Sequence, residues 1–504
     1  MALLHFGSKR TTSLNTISVI LLQLANIASS LIIPRLVLET FGSEVNGLVL
    51  SLTQFLNFIS LIEGGINSVI MANLYKPLVE NNTQKISSII KTSNKFFKKI
   101  ATIIVLYTII LAILYPVFSK SSFSWHYIFT LTMILGVKLF IQYCFSFTLK
   151  NLLNADKKVY IVSLTQIILV VLEMSLNYIL VKTWPNIHLI KLVSALIFII
   201  QPIVFNYYTK KHYRIDKEAI ENKKLLSARW DGFAINTAAF VHGNTDIAII
   251  SVFLTLKDAS VYGVYALVTT GLKTICQSLW KALAPSIGKI YASGDKRLLN
   301  KRFDTFEYLT FFMTFFMFSI AGLLITPFVQ LYVADAVDAN YFQPLFGTIL
   351  LIAEGIYILR EPYVNLAYGA NRFKDLRTCA IVEVILNIVI SLSLASWLGL
   401  TGIALGTLIA MTYRTIYQVY YLKKYMIGRP ILKFIKNFII FLLPSILIAA
   451  VCAHLLPIRE LNARNWVYSA LLYSAIYLVG YSVISFIFFR PQLIDLIKYF
   501  KRKK

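Results

Sequence analysis

Twelve ionisable side chains fall inside long apolar runs of this 504-residue sequence. Six are basic (Arg35, Lys138, Lys273, Lys281, Arg360, Arg414) and six acidic (Glu63, Glu173, Asp246, Glu354, Glu361, Glu383). A charge in hydrocarbon costs at least a few kcal/mol, so such residues persist where they pair, meet water or handle a ligand. The basic set suits an anion, a phosphate or diphosphate above all: Lys offers a mobile point charge and Arg a planar fork. Lys273 and Lys281 are eight residues apart, about two helical turns, and share a helix face. The carboxylates suit coupling or gating, with Asp246 and Glu63 foremost and Glu173, Glu383 and Glu354 beside them. The sequence does not choose among H⁺, Na⁺ and no coupling. Each residue also has a plainer reading. Arg35 and Glu63 lie near span ends and can snorkel, Arg360 and Glu361 can pair locally, and Glu173 and Glu383 can accept bonds from neighbouring helices. As a set they argue for a polar, hydrated interior, because pairing alone gives no reason to retain a dozen charges.

Other chemistries lack their residues. There is no G-x-x-x-x-G-K-[ST] for a nucleotide, no H-E-x-x-H for a metal, no G-x-S-x-G nucleophile and no D-x-D. The four cysteines (Cys144, Cys276, Cys379, Cys452) have no CxxC or metal-type spacing and read as small apolar packing residues. His242 stands alone in a polar helix and reads as structural. The expectation is a non-enzyme without cofactor or metal.

The elements that position these charges are transmembrane helices. The chain is 58% hydrophobic and 14% charged, against about one quarter charged in soluble domains. Apolar runs of 18 or more residues recur along its length, the signature of helical spans rather than of a barrel's short alternating strands. About 14 spans are expected, in an all-α polytopic membrane protein: in order, 14–38, 46–73, 97–118, 126–149, 159–181, 189–208, 232–255, 262–286, 308–332, 343–368, 378–398, 402–422, 434–456 and 466–489. The twelve charges avoid spans 3, 6, 9, 13 and 14. With the N-terminus inside, 37 of the 49 Lys and Arg fall on the inner side, and only Lys120, Lys182, Lys191, Lys257, Arg459 and Arg464 on the outer. That asymmetry puts both termini in the cytoplasm. It also makes the net charge of +26 a matter of topology, with no nucleic-acid partner.

The spans repeat. At an offset of 216, Val45 falls on Val261, Gly47 on Gly263, Thr53 on Thr269 and Tyr75 on Tyr291. Glu173-x-x-x-Asn177 in span 5 returns as Glu383-x-x-x-Asn387 in span 11. The expected organisation is an N-terminal six-helix lobe (1–209), a cytoplasmic linker (210–231), a C-terminal six-helix lobe (232–424), and spans 13–14 with a basic tail (425–504). Such symmetry marks a transporter with its path between the lobes. Spans 13 and 14, without a charge in their cores, read as peripheral and facing lipid.

Arg35 with FGSEVNG at 41–47, SLTQF at 51–55, LIEGGI at 61–66 and LYKPL at 74–78 resembles the polysaccharide repeat-unit (O-antigen and capsule) flippases. These belong to the multidrug/oligosaccharidyl-lipid/polysaccharide exporter superfamily. Asn387 and GLTGIALGT at 399–407 are similar to that family too, over about residues 14–425. The resemblance implies two six-helix lobes around a cationic cavity. It implies rocker-switch movement of an undecaprenyl-diphosphate-linked oligosaccharide from inner to outer leaflet of the bacterial cytoplasmic membrane. The implied partners are that lipid-linked substrate, membrane lipids, and the polymerase and chain-length machinery of the pathway. The alternatives are a lipid II or multidrug exporter of the same superfamily and a polysaccharide polymerase or ligase. The last would need a large external loop, for which the sequence has no room.

Overall fold

The computed structural model describes residues 9–63, 65–119, 121–216, 218–221, 233–334, 336, 338–370 and 372–501. All regular structure among them is helical, and the protein is an all-α polytopic membrane protein. It divides into two compact units, Met1–Ser260 and Val261–Lys504.

Unit 1 begins with α1 (Lys9–Asn57), which carries the first two expected spans end to end. The turn expected near residue 40 is made at Gly42, whose φ of 81° is open to glycine and costly for other residues. The second break falls at LIEGGI, where a 3₁₀ turn (Phe58–Glu63) ends and α2 (Ile66–Val79) starts from Gly65 at φ 82°. Then come α3 (Thr83–Phe118), α4 (Trp125–Ile141), a π-helical turn (Gln142–Ser146), α5 (Phe147–Ala155) and α6 (Val159–Thr183). α7 (Ile187–Ile197), α8 (Ile200–His212) and α9 (Phe233–Phe253) complete it. Leu48, Leu52 and Leu56 recur every fourth residue, which sets them on one stripe of α1. That stripe packs on Leu111 and Tyr115 of α3 and on Ile128 and Leu131 of α4.

In unit 2, α10 (Leu256–Ala292, entering from unit 1) precedes α11 (Lys296–Tyr332), α12 (Pro344–Leu359), α13 (Glu361–Gly369), α14 (Phe373–Leu398) and α15 (Leu400–Tyr425). α14 and α15 approach closely through Gly402 and Gly406, spaced as small residues are at membrane helix crossings. A Cβ on Gly406 would lie 2.2 Å from Ser391 Oγ. α16 (Ile431–Leu455), α17 (Ala463–Phe488) and α18 (Arg490–Lys501) follow. The helices expected to be peripheral each bury one face on α11: Phe441, Tyr477 and Tyr481 pack with Phe311 and Phe315. Their other faces stay exposed, as at Leu432, Leu447 and Leu471.

Among the described residues, nine helices are long and apolar enough to cross a membrane by length and composition. α10 and α15 fall outside that set because Lys273 and Arg414, with their Thr, Tyr and Gly neighbours, dilute their apolar runs. In these two helices the interior charge itself lowers the hydropathy, whereas α1, α4, α6 and α14 carry interior charges and still qualify.

Candidate functional site

The E-x-x-x-N repeat performs the same local task in both units. In unit 1, Ser194 Oγ on α7 donates to Asn177 Oδ1 on α6 at 3.0 Å. In unit 2, Asn387 Nδ2 on α14 donates to Thr407 Oγ1 on α15 at 2.9 Å. Each asparagine is buried and ties its helix to the next, which fixes where the glutamate one turn earlier points.

In unit 2, Glu383 of α14 lies between two guanidiniums. Arg360 Nη1, at the end of α12, is 3.4 Å from Oε1, and Arg414 Nη1 of α15 donates to Oε2. All three side chains are buried. Arg360 also lies over the Tyr357 ring, 4.1 Å from its centroid. Glu361 opens α13 and is within electrostatic reach of both guanidiniums. Its carboxylate accepts from Asn365 Nδ2 at 2.8 Å and Gln277 Nε2 at 3.5 Å. The result is a closed cluster of two cations and two anions, in which each charge has a partner. Six residues before Arg360 on α12, Glu354 pairs with Lys273 of α10 at 2.9 Å, and that ammonium lies 5.3 Å from the Tyr357 centroid. This pair is only partly buried.

Unit 1 places Glu173 of α6 with Lys138 of α4 around a cavity of about 270 Å³. Lys191 of α7 joins them; the sequence reading puts it in an outer loop at the entrance to span 6, and the helix instead turns it inward. Thr53, Asn57, Leu139 and Gln142 complete that part of the wall. Lys138 is held over the Phe198 ring, 3.9 Å from its centroid.

The remaining candidates are placed separately. Arg35 is half exposed and pairs with Glu39 one turn on, 2.6 Å away. Glu63 accepts from Tyr143 and from Asn67 Nδ2 at 2.6 Å, and Asn151 Nδ2 donates to Asn67 Oδ1 at 2.7 Å, so its carboxylate is tied into a network. Asp246 on α9 is buried. The Lys281 side chain lies outside the described residues. Two features escape sequence reasoning. Arg429, just before α16, bridges Asp304 and the wholly buried Glu307 of α11, and Asn437 Nδ2 donates to Glu307 Oε2 at 2.8 Å. These acids fall in an expected loop, but α11 starts earlier and buries them. The second is an open apolar cavity of about 340 Å³, lined by Phe315, Phe318, Leu351, Ile352, Leu442 and Ile446 from α11, α12 and α16, with Tyr477 of α17 at its edge.

No family model matches the chain, and no curated protein does. Its fold is nonetheless found among solved structures. Residues amounting to 96% of this chain match 99% of a lipid II flippase, MurJ, in an inward-closed conformation, at 15% identity and a TM-score of 0.71. An inward-facing multidrug resistance MATE family transporter of the MOP superfamily is matched over 80% of this chain and 94% of its own, at 11% identity and TM-score 0.62. The MATE multidrug transporter DinF-BH is matched over 84% of this chain and 98% of its own, at 16% identity and TM-score 0.58. The class the fold defines is therefore a multi-pass membrane protein of the architecture shared by these flippases and exporters. All three of these structures are named as flippases or transporters.

Proposed function

We propose that the protein is a flippase that carries an undecaprenyl-diphosphate-linked oligosaccharide repeat unit from the inner to the outer leaflet by alternating access. It serves surface polysaccharide assembly (capsule, O-antigen or exopolysaccharide) in the bacterial cytoplasmic membrane, with both termini in the cytoplasm. The observation that carries this reading is the length of the likeness to the lipid II flippase. The inward-facing MATE structure leaves about 80 residues more of this chain unmatched, roughly the length of 425–504. Those residues wall the apolar cavity with α16 and α17, and an apolar cavity open at one side is suited to a polyprenyl chain. The interior lysines and arginines suit a diphosphate, and the excess of Lys and Arg on one side suits the orientation.

The test is the sidedness of lipid-linked oligosaccharide in cells that lack the protein and keep the rest of the pathway. Completed repeat units should accumulate on the cytoplasmic leaflet and clear on re-expression. Single units that reach the outer leaflet and fail to lengthen would mean a polymerase instead. Accumulation of lipid II in place of repeat units would move the substrate to the peptidoglycan precursor.

A further inference from the structure

The two units carry one charge arrangement on corresponding helices, closed in the second and open in the first. In each, a glutamate from the fifth helix of the repeat (Glu173, Glu383) faces a cation from the fourth (Lys138, Arg360) and a cation from the sixth (Lys191, Arg414). In unit 2 the guanidiniums reach the carboxylate directly. In unit 1 neither ammonium is within ion-pair distance of Glu173; both act on it across the cavity. The count of charges differs as well. Arg360 is followed by Glu361, which supplies the fourth charge and balances two cations with two anions. Lys138 is followed by Leu139, and this leucine lines the cavity. Among the described lining residues, unit 1 thus sets two cations and one anion around a cavity of about 270 Å³, an excess of one positive charge. An unmatched charge in a low-dielectric interior is unfavourable unless a counter-charge joins it or the ammonium gives up its proton, and a bound anion favours the charged form.

We propose that this cavity binds an oxyanion, a phosphoryl or carboxylate group, which supplies the counter-charge that Glu361 supplies in unit 2. The wall suits oxygen ligands: the side chains of Thr53, Asn57 and Gln142 line it and make no described hydrogen bond, so they are free to donate. Lysines in place of arginines suit a site that must release its ligand, since a flexible ammonium does not lock a bidentate pair. The site stands on the geometry of unit 1 alone. That the oxyanion belongs to the transported molecule rests on the flippase reading.

The experiment titrates purified full-length protein with inorganic phosphate, pyrophosphate, acetate and chloride at fixed ionic strength, read by calorimetry and thermal shift. Phosphate or pyrophosphate should bind saturably, and chloride should not. Lys191→Gln should weaken binding by about tenfold or more, as loss of a charged hydrogen-bond donor does. Leu139→Glu, which installs the carboxylate that unit 2 already has, should abolish it by filling the site from within. Glu173→Gln should tighten it, an outcome that a merely structural carboxylate would not give. Unliganded melting temperatures confirm that each variant is folded. No saturable binding, wild-type affinity in Lys191→Gln and Leu139→Glu, or weaker binding in Glu173→Gln each overturns the proposal. Competition with a prenyl phosphate in nanodiscs then separates the sources. Displacement of inorganic phosphate supports a carrier-lipid group. Phosphate binding without displacement upholds the cavity and counts against its link to the transported lipid.

Discussion

Glu383 accepts from two buried guanidiniums, so its removal strands both in the interior. Glu383→Ala should destabilise unit 2 by roughly 3–5 kcal/mol, the cost of breaking a buried ionic cluster by deleting one member. Melting of the detergent-purified protein measures this, and a loss under about 1 kcal/mol would show that water enters the cluster. Lys273 and Glu354 test function more cleanly, because they can be neutralised together. A Lys273→Gln/Glu354→Gln double variant leaves no stranded charge, so its membrane level should stay near wild type. Transport should fall by about tenfold or more if Lys273 exchanges Glu354 for substrate phosphate, as a hydrogen bond to charge made in transit would give. Unchanged transport would make the pair purely architectural. Arg35→Ala removes a half-exposed pair with Glu39, and its effect on stability should stay below about 1 kcal/mol, with any loss read in transport. At this scale the sequence marks the charges that fall within apolar runs, but it misses those at the margins of a run, such as Lys191, Glu307 and Arg429, which the fold also draws in. It does not reveal which are closed into pairs. Glu383 and Arg414 are 31 residues apart, and only the fold brings them together.

At the scale of the element, one matched position of the repeat is plainly structural. Gly47 is a point of backbone contact: a Cβ there would lie 1.7 Å from the Leu256 carbonyl oxygen, where α10 begins. Gly47→Ala should cost about 1–3 kcal/mol through forced displacement of one backbone by another. Thermal denaturation checks it, and a neutral substitution would mean that the contact is readily relieved. The breaks at Gly42 and Gly65 are legible in the sequence, since glycine leaves a sharp local signal; the E-x-x-x-N spacing shows there as a repeat, but that its asparagine ties one helix to the next does not. Helix ends are less so. Lys191 reads as a loop residue because a basic residue at the margin of an apolar run looks like a border, and Asp304 and Glu307 do so for the same reason. In each case the helix begins earlier and tertiary partners accept the charge. The repeat does not mark Lys191 either: it lies three residues before Ser194, whereas Arg414 lies seven after Thr407 on the corresponding helix.

For the molecule as a whole, hydropathy and repeat symmetry specify the all-helical membrane architecture, because a lipid solvent permits few alternatives. The role of residues 425–504 is not legible: an apolar helix that packs on α11 has the same composition as one that faces only lipid. The structure separates the two. Arg429 fastens the start of α16 to Asp304 and Glu307, and Asp495 of α18 accepts from Arg302 of α11 at 2.7 Å. Two ionic anchors on one helix are more than a lipid-facing appendage requires, and the cavity they hold in place is apolar. If that cavity receives the prenyl chain, filling it should impair transport without unfolding the unit. Ala449 lines it from α16, and Ala449→Trp would occupy much of its volume. Transport of the lipid-linked oligosaccharide should fall severalfold while the melting temperature holds or rises, because a filled cavity gains contacts. A water-soluble anion bound in unit 1 should be unaffected, which separates the chain-binding role from the charge-binding one. Normal transport by a stable Ala449→Trp protein would place the prenyl chain elsewhere and leave α16 and α17 as supports for α11.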